Sequence, residues 1–117
     1  MHLMSGILYH NPRCSKSRQT LELLKEKGLE PEIHEYLKTP IDKAQLKEIL
    51  ALLNIGANAL IRSSEEIYKE LGLSKEDNEE ALIDAMIEHP KLIQRPIYVN
   101  NGKAAVGRPP ENVLNII

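Results

Sequence analysis

Ile7-Leu8-Tyr9-His10-Asn11-Pro12-Arg13-Cys14-Ser15-Lys16-Ser17-Arg18-Gln19-Thr20 is the stretch on which the reading of this chain turns. The apolar run Ile7-Leu8-Tyr9 reads as a buried strand, spanning about Gly6 to His10 with its flanks. Asn11-Pro12 is a turn signal. From Ser15 to Lys27 the apolar residues recur at helical spacing, with Leu21 and Leu24 facing inward and Gly28 as the stop. The only cysteine of the chain, Cys14, therefore falls where a strand hands over to the first turn of a helix. Unpaired N–H groups at that place favour an anion. His10, Arg13, Lys16 and Arg18 crowd the same place. A thiol so surrounded is expected to be partly ionised and nucleophilic, whereas a lone buried cysteine is otherwise an inert small hydrophobe.

Working outward, Pro31 to Leu37 alternates, with Ile33 and Glu35 on one face and His34 and Tyr36 on the other, and predicts a second strand near a sheet edge. Strand, helix and strand within about thirty residues form a βαβ unit with parallel strands. Thr39-Pro40-Ile41-Asp42 predicts a helix start, with Thr39 as the cap and Pro40 in the first turn. Helical patterns follow at Leu46-Ile49-Leu50-Leu53, around Ala57 to Arg62, at Ser64 to Leu71 and at Glu79 to Glu88. Residues 40–89 thus form an all-helical insertion. Pro96-Ile97-Tyr98-Val99 and Ala104-Ala105-Val106 flank Asn100-Asn101-Gly102, a strong hairpin signal. Pro109-Pro110 opens a last helix from about Glu111 to Ile116. The order β-α-β, helices, β-β-α predicts an α/β fold of thioredoxin-like type. It is a single domain over residues 1–117, with a four-stranded mixed sheet.

Composition narrows the function. A chain of 117 residues suffices for one domain with its own core. Trp and Phe are absent, so Leu, Ile, Val and Ala must build that core with Tyr at its margins. A net charge of −2 speaks against a nucleic-acid partner, and the local basic cluster at Cys14 suits a small anion better. A single cysteine excludes an internal disulfide and fits a reduced thiol. No apolar run reaches the ~20 residues of a membrane-spanning helix and no signal peptide is visible. The expectation is a cytoplasmic protein without a membrane partner. Met1-His2-Leu3 is given no function. His2, His10, His34 and His89 lack metal-ligand spacing, so no metal site or bound cofactor is expected.

Other residues admit two readings. Cys14-x-x-Ser17 is the single-thiol form of a redox dithiol motif, and its second thiol must come from another molecule. His10 reads either as a strand-end histidine or as an imidazolium or proton relay beside the thiolate. Arg18, at i+4 from Cys14, can face the same pocket, while Lys16 points outward. Arg62, Arg95 and Arg108 each suit the surface. Yet Arg95 stands before Pro96, whose bond could be cis, and Arg108 stands at a helix start. Guanidinium groups bind tetrahedral oxyanions through paired donors.

His10-Asn11-Pro12-Arg13-Cys14-Ser15-Lys16-Ser17-Arg18 resembles the active-site loop of the glutaredoxin-dependent arsenate reductases, the ArsC family. The similarity continues through Glu30-Pro31, Tyr36-Leu37-x-Thr39-Pro40, Tyr68-Lys69-Glu70-Leu71-Gly72-Leu73, Leu82-Ile83-Asp84, His89-Pro90, Ile93-x-Arg95-Pro96-Ile97 and Gly107-Arg108-Pro109-Pro110-Glu111. It is strongest toward the YfgD-like branch. The resemblance implies a thioredoxin-like fold and reduction of arsenate to arsenite, with glutathione as co-substrate and glutaredoxin as partner. It implies Cys14 as the nucleophile, His10 as the residue that lowers its pKa, Arg62, Arg95 and Arg108 as oxyanion ligands, and a cis Pro96. Arg13 departs from the small residue common in plasmid-type members. The related Spx-type regulators commonly carry Cys-x-x-Cys, which Ser17 interrupts. The alternatives are a glutathione-linked thiol oxidoreductase with another substrate, or a Spx-like partner-binding regulator.

Overall fold

The computed structural model describes residues 6–117; Met1-His2-Leu3 and the two residues after it lie outside them. The elements run β1 (Ile7–Tyr9), α1 (Ser15–Glu26), β2 (Glu32–His34), α2 (Lys43–Leu53), α3 (Ala57–Leu60), α4 (Glu66–Glu70), α5 (Glu79–Glu88), β3 (Ile97–Asn100) and β4 (Lys103–Val106). A 3₁₀ turn spans Pro90–Leu92, and a 3₁₀ helix spans Pro110–Ile116. The chain divides into two compact units, one made of the residues up to Thr39 with Arg95–Ile117, the other of Pro40–Gln94.

The first unit holds the sheet, in the order β2-β1-β3-β4. β1 pairs parallel with β2, Leu8 opposite Ile33, and antiparallel with β3, Leu8 opposite Tyr98. β2 is an edge strand as the alternation predicts, and Ile33 is exposed on it. β3 and β4 form the expected hairpin. Its turn is Asn101-Gly102, with φ of 52° and 72°, the paired positive values that a two-residue loop needs to match the strand twist. Leu8, Leu24, Tyr98 and Val113 are fully buried together, with Leu21, Leu29 and Ile116 packed on them. α1 and the 3₁₀ helix at 110–116 pack on one another through this cluster. This is the thioredoxin-like arrangement. Here the C-terminal segment is 3₁₀ rather than the α-helix that the sequence pattern predicts, in keeping with a run of only seven residues at the end of the described chain.

The second unit carries the helical insertion and reaches five residues beyond the predicted end, because the 3₁₀ turn and an antiparallel bridge between Ile61 and Ile93 belong to it. α5 packs on α2 and α3 through Leu82, Ile83 and Met86. α2 does not start at Thr39-Pro40. Asp42 is its N-cap, accepting from the Gln45 N–H at 2.8 Å while the Gln45 side chain accepts from the Asp42 N–H at 2.9 Å. This reciprocal box satisfies two orphan donors at once, which a threonine cap alone cannot do. Lys43 and Lys47 meet Glu80 and Asp84 in an exposed cluster at 2.7–2.9 Å, which draws the Glu80 carboxyl down to about 2. At such exposure the pairs align helices more than they stabilise them. Among the described residues, no helix is long and apolar enough to cross a membrane.

Candidate active site

Cys14 is the N-cap residue of α1, with φ −92° and ψ 124°. Its own N–H is bound by the Asn11 carbonyl at 3.0 Å, which closes the loop after β1 into a turn and aims the side chain at the start of the helix. The residue is 9% exposed: covered, but reachable. Burial pushes the thiol up. The Ser17 backbone N–H, the charge of Arg95, the Lys16 backbone N–H and a hydrogen bond from the Arg95 side chain together outweigh it, and the net shift is downward. Arg108 adds Nη2 at 3.7 Å from Sγ. The start of α1 and the two arginines thus act together to favour the thiolate. A titration of the thiolate absorbance should show a midpoint below the ordinary ~8.5, and Arg95→Ala should move it upward; a wild-type midpoint at or above that value would remove the electrostatic account of this site. Because the folded pKa lies below the unfolded one, the stability gained from the thiolate is complete above the unfolded value and is lost as pH falls through the folded one.

The two arginines reach the sulfur from the other end of the chain. Arg95 and Pro96 are joined by a cis bond, as are Arg108 and Pro109. The Nε and Nη1 atoms of Arg95 are buried. Arg108 Nε donates to the Arg95 carbonyl at 2.8 Å, which fixes the guanidinium plane and leaves its outer nitrogens over Cys14. The carbonyl of Arg108 is in turn bound by the Asn112 side chain at 3.0 Å.

What holds these loops to α1 is Gly107. Its N–H donates to the Pro96 carbonyl at 2.9 Å. A Cβ on it would lie 2.5 Å from Thr20 Oγ1 and 2.8 Å from Pro96 Cγ. Thr20 is fully buried and its hydroxyl bonds back to the Lys16 carbonyl at 2.8 Å, so it has little room to retreat. Gly107→Ala should therefore cost about 1–3 kcal/mol in thermal or denaturant unfolding and lower activity, since Arg108 is the next residue. Adding Thr20→Ala, which removes the nearest obstacle, should restore part of both. The sequence pattern did not single out Gly107 or Thr20; the one available signal was a glycine directly before a candidate ligand.

His10 meets the cysteine loop through Ser17. It is 5% exposed at the end of β1, and its Nδ1 lies 2.6 Å from the Ser17 hydroxyl. That hydroxyl also accepts from the Asn11 N–H at 3.0 Å. Burial lowers the His10 pKa; Glu35 opposes this, and Arg18 and Lys25 add to it. The shift favours the neutral ring, and the contact of His10 with the cysteine loop runs through the Ser17 hydroxyl. The effect of the shift on stability has a definite sign: a lowered histidine pKa costs stability only as pH drops below about 6.5 toward the folded value.

The first unit by itself brings Cys14, His10, Arg95 and Arg108 together. Arg62 belongs to the second unit, where its Nη1 binds Glu65 Oε1 at 2.9 Å and its N–H donates to the Leu92 carbonyl at 2.7 Å. Arg13, Lys16 and Arg18 are exposed, and Arg18 Nη1 donates to the Pro12 carbonyl at 2.9 Å. Ser17 was legible only as a missing second cysteine, not as the hydroxyl that ties His10 to the loop.

The chain is 57% identical over 112 residues to protein YfgD of Escherichia coli strain K12, covering 94% of each. It is 48% identical over 112 residues to an arsenate reductase of Neisseria meningitidis serogroup B, covering 94% of this chain and 96% of the other. A solved arsenate reductase from Vibrio cholerae superposes with a TM-score of 0.94 at 48% identity, over 99% of this chain and all of that one. The ArsC family model matches residues 9–116, a span that contains the cysteine loop and all three candidate arginines, and the chain belongs to the ArsC family.

Proposed function

We propose that the protein is an arsenate reductase in which Cys14 is the nucleophile. The observation that carries this reading is a thiol at a helix N-terminus with its pKa drawn down by backbone amides and Arg95, and with Arg108 held over the sulfur through the Arg95 carbonyl. Arsenate is a tetrahedral oxyanion, and guanidinium groups beside the attacking atom neutralise and orient it. The thiolate attacks arsenic, a sulfur–arsenic bond forms, and an oxygen departs as water or hydroxide. A glutathione thiolate then attacks the Cys14 sulfur. The sulfur–arsenic bond breaks with its electron pair left on arsenic, which becomes trivalent arsenite, and a Cys14–glutathione disulfide remains. Glutaredoxin clears that disulfide by thiol exchange. With no second cysteine in the chain, the remaining reducing equivalents come from these partners.

His10 positions the loop through Ser17. Arg95 and Arg108 hold the oxyanion. For Arg62 the support is the family resemblance alone. The reaction needs no bound metal or cofactor, and the cytoplasm, where glutathione is reduced, is its proposed place. The test is a coupled assay with arsenate, glutathione, glutaredoxin and NADPH, with an Arg62→Ala arm for the third guanidinium. Arsenate-dependent NADPH oxidation with release of arsenite is the expected result. Reduction of glutathione mixed disulfides without any arsenate turnover would overturn the substrate and leave a thiol oxidoreductase.

A further inference from the structure

Among the described residues, no strand pairs with the outer side of β2. The Glu32 N–H donates to the Gly6 carbonyl at 2.8 Å, and the His34 carbonyl accepts from the His10 N–H at 2.9 Å. Residues 32 and 34 therefore turn their amides and carbonyls toward β1, and the alternation of a strand turns those of Ile33 outward. Ile33 stands opposite Leu8 in the β1–β2 register. Leu8 is packed with Leu24 of α1, so the exposed Ile33 side chain lies on the α1 face of the sheet. There the C-terminal half of α1 and the edge strand leave a cleft lined by Leu21, Lys25, Leu29, Pro31 and Ile33. Lys25 is exposed, and among the described residues no carboxylate forms an ion pair with it.

An exposed apolar residue beside an open row of backbone groups is what native edges avoid unless something covers it. This edge is complementary to itself. We propose that β2 pairs antiparallel with β2 of a second copy of this chain, on a two-fold axis through Ile33, and so joins the two sheets into one. Ile33 then exchanges both of its outward hydrogen bonds with Ile33 of the second copy. Pro31 falls opposite Glu35 of the second copy. Pro31 has no N–H to give, and the Glu35 carbonyl needs none, since it already accepts from the Lys38 and Thr39 N–H groups at 3.0 and 2.9 Å. Glu35 stands two residues on from Ile33 and shares its face. Across the axis its carboxylate comes down beside Pro31, in the cleft that Lys25 also lines. Within its own chain Glu35 pairs with the exposed Lys38 at 3.5 Å, loosely enough to exchange partners. The axis repeats the Lys25–Glu35 contact, so each dimer carries it twice. On the other face Glu32 lies opposite His34 of the second copy, a cross-strand pair of unlike character.

The shared strand is short and the cleft small, so the dimer is weak, with a dissociation constant on the order of 10–100 µM. Sedimentation velocity at low ionic strength, from about 5 µM to about 1 mM chain, brackets that range. Wild type should pass from monomer to dimer. Ile33→Pro removes the outward N–H and leaves the β1 ladder intact, since proline is tolerated on that side of an edge strand. It should stay monomeric with an unchanged circular dichroism spectrum. Lys25→Glu and Glu35→Lys each set like charges together at both contacts. Each should weaken association by about tenfold or more, an effect that fades at about 0.5 M salt. Mixed in equal amounts, the two variants form a pair in which both contacts are again attractive, and the mixture should dimerise at least as well as wild type. That recovery separates the interface from any folding defect in a single variant. A chain that stays monomeric up to about 1 mM overturns the proposal. So does a dimer that Ile33→Pro leaves intact, a mixture no more associated than its components, or growth beyond the dimer, which a closed two-fold contact forbids.

Discussion

Cys14→Ser is expected to reduce arsenate turnover by about 10⁴-fold or more, to the background of the assay, while leaving the protein folded. The two halves of this expectation have separate causes. Serine is among the preferred N-cap residues, and Cys14 occupies the N-cap of α1. The hydroxyl can take the same amide donors, and the change in volume at a site 9% exposed is small. Circular dichroism and the unfolding midpoint near neutral pH should therefore match wild type closely. The chemistry does not survive. The donors around the sulfur lower the pKa of the thiol and so raise its thiolate fraction; an aliphatic hydroxyl starts far higher and stays protonated in the same place. Nor can an oxygen form the disulfide whose formation releases the arsenic as arsenite. Residual turnover within tenfold of wild type would mean that arsenate is reduced without passing through this sulfur. The pH dependence supplies a second check. Wild type gains stability from the thiolate as pH rises through the folded pKa, and the variant lacks that gain, so the two unfolding midpoints should separate in alkaline solution and converge in acid.

The placement of that cysteine was legible because three local signals agree: an apolar run too short for a helix, Asn11-Pro12, and a helical period starting at Ser15. Asn101-Gly102 was legible for the same reason, since few dipeptides accept two positive φ values. Readings that depended on one signal moved. Thr39-Pro40 suggested a helix start, but Asp42 with Gln45 offered two hydrogen bonds in place of one and took the cap. The last segment kept its predicted bounds within a residue and changed its hydrogen-bond pattern, because a run of seven residues is too short for an α-helix to establish itself without help from packing. The parts of the site that were not legible are those made by distant segments. Neither the contact of Gly107 with Thr20 nor the bond from Arg108 to the Arg95 carbonyl leaves a mark in local sequence. The direction in which the His10 pKa moves was equally out of reach: it follows from burial, which a strand-end position does not fix.

Arg108→Ala is expected to lower kcat/KM for arsenate by about 10²–10³-fold, the usual cost of removing one preorganised donor from a developing anion, and to raise the Cys14 pKa. The more informative variant is Arg108→Lys. Arginine does two things here with one plane: Nε is fixed by the Arg95 carbonyl at 2.8 Å while Nη2 stands 3.7 Å from Sγ. A lysine ammonium is a single point of charge on a flexible stem and cannot be anchored and presented at once. Arg108→Lys should therefore recover much of the thiol pKa, which responds to charge, but less than tenfold of the lost kcat/KM, which responds to orientation. The anchor is a backbone carbonyl, so Arg95→Ala leaves it in place; because the two guanidinium groups share the sulfur and the oxyanion, the double variant should show coupling rather than simple addition of the two defects. If Arg108→Lys instead restores kcat/KM to within twofold of wild type, positive charge alone suffices at this position, and the fixed guanidinium plane has no part in holding the oxyanion.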